Sequence, residues 1–94
     1  MLNDMIEWET EEISIQKEAK LFQKLINNGQ AWTLQGAYGR RAMELIESGY
    51  CTLGTRGFRS YLGGYTPSRY EVQKGTKGSL EYKKRREEER YNEI

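Results

Sequence analysis

Apolar residues recur at helical spacing twice along this chain. Ile15, Ala19, Phe22 and Ile26 fall three and four residues apart, Leu21 and Leu25 widen that face, and Ile13 extends it upstream. The pattern predicts an amphipathic helix from about Glu11 to Asn28 with a broad buried stripe. Thr10 is the expected N-cap, with Glu11 and Glu12 at the positive end of the helix dipole. Asn27-Asn28-Gly29 is a stop signal, because Asn and Gly tolerate the left-handed conformation. A second stripe of Tyr38, Ala42, Leu45 and Ile46, with Met43 adjacent, predicts a helix from about Ala37 to Ser48 that Gly49 ends. Residues 1–9 fit a short helical turn in which Met5, Ile6 and Trp8 cover the core, and equally a docking peptide.

Between and after the helices the signal changes. Ala31-Trp32-Thr33-Leu34 alternates weakly and reads as a short strand or extended connector, and Tyr50-Cys51-Thr52-Leu53 is the best strand candidate. From Gly54 to Gly78 the chain holds six of its ten glycines and its only proline, interleaved with Phe58, Tyr61, Tyr65 and Tyr70. Such a stretch is irregular or made of short strands joined by turns, with Gly63-Gly64 as a turn signal and 70–72 as a further short strand. Ser79 caps a last helix from Leu80 to about Tyr91, whose charge blocks leave almost no apolar stripe and predict a solvated, frayed element. The expected fold is α+β: two amphipathic helices packed on a small antiparallel sheet or hairpin drawn from 31–34, 50–53 and 61–72, with a charged C-terminal helix. The organisation is an acidic segment 1–9, one compact domain 10–78 and the solvated helix 79–94. Trp32, Leu34, Leu45, Ile46, Leu53, Phe22 and Ile26 are the expected core.

Composition narrows the chemistry. The chain has 94 residues, room for one domain. It has no histidine and one cysteine, Cys51. That removes the commonest general base and metal ligand, leaves zinc without a site, and makes a Ser-His-Asp or Cys-His arrangement impossible within the chain. No two carboxylates, lysines or tyrosines fall into a recognisable acid–base site, so a non-enzymatic protein with no cofactor and no metal is expected. Cys51 reads as a small core hydrophobe. The first twelve residues carry five acids and no base, unlike a signal peptide, and no apolar run approaches a membrane span; with one unpaired cysteine the expected location is the cytoplasm.

A net charge of +1 hides a segmentation: residues 1–12 sum to −5 and residues 36–78 to +4. The basic middle contains Gly54-Thr55-Arg56-Gly57-Phe58-Arg59-Ser60-Tyr61, arginines and aromatics on a glycine-rich backbone. Arginine contacts carboxylate or phosphate, and aromatic rings bury large area or stack on unpaired bases. Arg56, Phe58, Arg59 and Tyr61 are therefore the candidate binding residues, with Arg40, Arg41, Arg69, Lys74 and Lys77 enlarging the basic patch. The competing reading is that the aromatics pack the core and the arginines solvate its rim. Gly36-Ala37-Tyr38-Gly39-Arg40 matches neither the dinucleotide fingerprint nor the phosphate loop, and Gly75-Thr76-Lys77-Gly78-Ser79 reads as a hinge.

The stretch from Trp32 to Gly49, continued by Pro67-Ser68-Arg69-Tyr70-Glu71-Val72 and Gly75-Thr76-Lys77-Gly78-Ser79, resembles small uncharacterised proteins encoded by bacteriophages over about half the chain. The resemblance implies an accessory protein acting on a host component, of which inhibitors of host defence are one class, and it carries no catalytic motif. Two function classes stand. One is a protein-binding module, with self-association compatible. The other is a nucleic-acid-binding accessory protein that uses the Arg/aromatic/Gly-rich loop.

Overall fold

In the computed structural model, residues 2–10, 12–34, 36–60 and 63–92 are described, with side chains from residue 5 onward. The order is α1 (Leu2–Glu9), α2 (Ile15–Asn27), a 3-10 turn (Gln30–Trp32), α3 (Gly36–Glu47), a hairpin of β1 (Phe58–Arg59) and β2 (Tyr65–Thr66), and α4 (Leu80–Asn92). The fold is α+β with a two-stranded antiparallel sheet.

The apolar stripes build the core. Leu21, Phe22, Leu25 and Ile26 of α2 face Tyr38, Ala42, Leu45 and Ile46 of α3, and Ala31, Cys51 and Leu53 close the space between them. Trp32 and Leu34, expected at the centre, are only partly buried at its edge. Met5 and Trp8 of α1 pack on this core while Ile6 points outward. The N-cap of α2 is Ser14, whose Oγ accepts from Lys17 N. Thr10 instead donates its hydroxyl to the carbonyls of Ile6 and Glu7, closing α1, and so starts no helix.

Both central helices end as the glycines predict. Gly49 takes φ +82° in a Schellman arrangement, its N–H reaching Ile46 O and that of Tyr50 reaching Leu45 O. At the end of α2, Gly29 with φ +85° turns the chain into the 3-10 turn, so 31–34 is no strand.

The expected strand at 50–53 bends at Tyr50 and Cys51 and is buried from Cys51 onward, and it pairs with no strand among the described residues. Its backbone is satisfied otherwise. Gln23 of α2 accepts from Thr52 N at 2.8 Å and donates to Thr52 O at 3.2 Å. Leu53 N donates to Gly78 O, and Arg69 N to Gly54 O. Residues 70 and 71 lie in a turn and Val72 in a bend, and the hairpin lies outside the core.

Helix α4 has no buried residue, as a solvated helix would, but it is not free-standing. It crosses the C-terminus of α3 so closely that a Cβ on Gly49 would sit 2.5 Å from Cβ of Arg86. Tyr82 donates to Glu47 O, and Arg90 donates to Ser48 O and Gly49 O. These are carbonyls that the end of α3 leaves without intrahelical partners, and the cation meets the negative end of the helix dipole. The Arg90 guanidinium also lies 3.9 Å from the Tyr50 ring centroid. Ser79 caps α4 as expected, accepting from Tyr82 N.

Candidate functional site

Two polar–aromatic clusters stand out, one inside the fold and one at its edge. The inner cluster forms where α1, α2 and α3 meet. Trp8 packs edge-on against Phe22 at 5.1 Å and over Tyr38 at 4.6 Å between centroids. Glu18, on the core side of α2, accepts from Arg41 Nε and Nη2 at 2.8 Å each and from Trp8 Nε1 at 2.6 Å. Arg41 reaches Glu44 as well. Tyr38 donates its hydroxyl to Glu9. The Arg41 guanidinium holds the Glu18 carboxyl below the usual range, and burial, helped by Glu9, pushes the Tyr38 phenol up to about 12. The cleft beside these groups measures about 630 Å³. Each charged group in it already has an internal partner, so the cluster clamps α1 to the body.

The outer cluster is the hairpin. Phe58 opposes Thr66 and Arg59 opposes Tyr65, and the Arg59 guanidinium lies 5.1 Å from the Tyr65 ring centroid. Tyr65 donates its hydroxyl to Glu71, which also accepts from Ser68 N at 2.7 Å. Those bonds hold the Glu71 carboxyl below its usual range, the Ser68 N–H contributing most. The Tyr65 hydroxyl occupies the place a Cβ would take at Gly57, so only glycine admits this closure. Two grooves flank the hairpin, and Trp32 and Phe58 line both. One, of about 310 Å³, runs past Leu34 and Gly39, and the other, of about 380 Å³, past Asn28 and Arg56.

The arginine and aromatic candidates divide. Arg56, Phe58 and Arg59 sit together on the hairpin, the arginines exposed and Phe58 half-buried. Tyr61 lies outside the described residues. Arg40 is exposed on α3, its guanidinium folded back over Gly36. Arg41 belongs to the inner cluster, where Glu18 takes its donors. Arg69 is a brace: its Nε donates to Leu53 O and its Nη2 to Asn27, locking the buried extended segment to α2. The sequence reading missed Trp32 as a groove wall and the Tyr65–Glu71 closure, which no periodicity marks. It also passed over Glu18, although a carboxylate between Ile15 and Phe22 on an apolar stripe is a visible signal of an internal partner. Among the described residues no cluster of potential metal ligands exists, and no helix is long and apolar enough to cross a membrane. Cys51 is fully buried, donates to Ala19 O, and has its thiol pushed up to about 12 by burial.

The chain belongs to the family described as a domain of unknown function (DUF7417), whose model matches residues 1–57. That span covers α1 to α3 and the inner cluster, and it ends at the residue before β1. No curated protein and no solved structure matches the chain.

Proposed function

We propose that this protein is a small, non-enzymatic binding module. It uses the hairpin to capture an acidic segment of a partner protein, with an apolar side chain of that segment entering the groove that Trp32 and Phe58 line together with Arg56. The observation that carries the reading is that the hairpin's aromatic and basic side chains serve no core: among the described residues from 54 to 70, none belongs to it. Arg56, Arg59 and the half-exposed Tyr65 are presented on a backbone held by the Tyr65–Glu71 closure. Tyr and Arg are the residue types that dominate interface hot spots, and a preorganised loop loses little freedom on binding. The charge suits an acidic partner, since residues 48–80 hold five bases and the single acid Glu71, itself engaged. The resemblance to bacteriophage accessory proteins supports the finer reading, in which the partner is a host component, such as a defence protein, that binding inhibits.

The test is the double substitution Arg56→Ala with Arg59→Ala, in protein shown by circular dichroism to be folded. Affinity for the protein partner recovered by wild-type purification is expected to fall at least tenfold, about 1.4 kcal/mol. Unchanged affinity overturns the reading. So does a single-stranded oligonucleotide that binds more tightly than any protein and is lost in the same variant, which assigns the hairpin to nucleic acid.

A further inference from the structure

We propose that the outer face of α4 is a self-association surface, occupied by a second, antiparallel copy of the same helix. The inner face is spent on docking through Tyr82, Arg86 and Arg90, spaced four apart. Leu80, Lys84, Glu88 and Tyr91, at spacings of four, four and three, share the opposite face. Leu80 is 41% and Tyr91 78% exposed, large values for apolar and aromatic side chains on an otherwise charged helix. Lys84, Glu88 and Tyr91 also line one shallow groove along it.

The order along this face is apolar, base, acid, aromatic, and it complements itself only when reversed. In a parallel pair Lys84 meets Lys84 and Glu88 meets Glu88, which repel. In an antiparallel pair about a two-fold axis level with Arg86, Lys84 of each copy faces Glu88 of the other, and symmetry makes the contact twice. At a rise of about 1.5 Å per residue, Leu80 lies about 9 Å from that axis on one side and Tyr91 about 7.5 Å on the other. Each leucine therefore meets the tyrosine of the second copy, closing an apolar contact at both ends of the paired charges. A pair of 13-residue helices buries less than the ~1,200 Å² typical of a stable interface, so the association is weak, reversible and weakened by salt. The surface is separate from the hairpin and stands whether or not the proposed partner binding holds.

Sedimentation equilibrium of the full chain tests the proposal. Wild type is expected to show a reversible monomer–dimer equilibrium that weakens as salt rises. Lys84→Glu and Glu88→Lys, each confirmed folded by circular dichroism, should each weaken the dimer at least about tenfold. An equimolar mixture of the two variants should recover it as a heterodimer, because the mixture sets two acids against two bases. The double swap in one chain should recover it as a homodimer. A wild-type chain that stays monomeric at every concentration overturns the proposal. So do single variants that associate like wild type, or a mixture that stays monomeric.

Discussion

The side-chain amide of Gln23 bonds both backbone groups of Thr52, standing in for the neighbouring strand that the buried segment 51–54 lacks. A buried peptide unit without partners is costly, and one side chain from α2 removes both liabilities.

Replacing Gln23 by Ala strands a buried N–H and C=O together. The expected loss is about 1–3 kcal/mol, a large share of the stability of a domain this size. Thermal unfolding followed by circular dichroism should show a midpoint lower by several degrees. A midpoint within about 2 °C of wild type would mean that water replaces the amide.

The Glu18–Arg41 pair sets the acid limb of stability. The folded Glu18 carboxyl lies below its ordinary value, so its contribution is complete above about pH 4.3 and is lost as pH falls through the folded value. Tyr38 acts at the other end. Its raised folded value makes its contribution complete below about pH 10, and the contribution disappears as pH rises towards about 12. Arg41→Ala should cost about 3 kcal/mol, the low end for breaking a buried pair, because the Arg41 side chain retains 33% exposure. Urea titrations across pH should then show a flatter acid limb for Arg41→Ala than for wild type; parallel limbs would remove the pair from the explanation.

Helix α4 lacks an apolar face but braces the end of α3. Arg90→Ala removes two carbonyl bonds and a cation–π contact, an expected loss of about 1–2 kcal/mol. Truncation after Tyr82 should cost at least as much, read as a melting midpoint lower by several degrees. An unchanged midpoint in the truncated chain would show that α4 adds nothing to the body's stability.

Periodicity made α2, α3 and the buried stripe legible, because helix packing repeats on one face every three to four residues. What it left out depends on single contacts distant in sequence. Residues 50–53 have strand composition, but whether they form a ladder depends on a partner, and the partner is a glutamine 29 positions earlier. Thr10 and Ser14 are both capping types, and only the carbonyls of α1 decide which is used where. Arg56 and Arg41 look alike as sequence; among the described residues the first makes no side-chain hydrogen bond or ion pair, and the second has Glu18. The solvated reading of α4 followed from its missing stripe, and it overlooked the bare carbonyls at the end of α3 as a docking site.

The lone thiol of Cys51, enclosed by α2 and α3, gives the molecule an internal clock. Alkylation needs thiolate and access, and the folded state withholds both. Each modified molecule therefore records a passage through an open state: the labelling rate in native buffer reads the open population when reclosing outpaces alkylation and the opening rate when it does not, without any engineered probe.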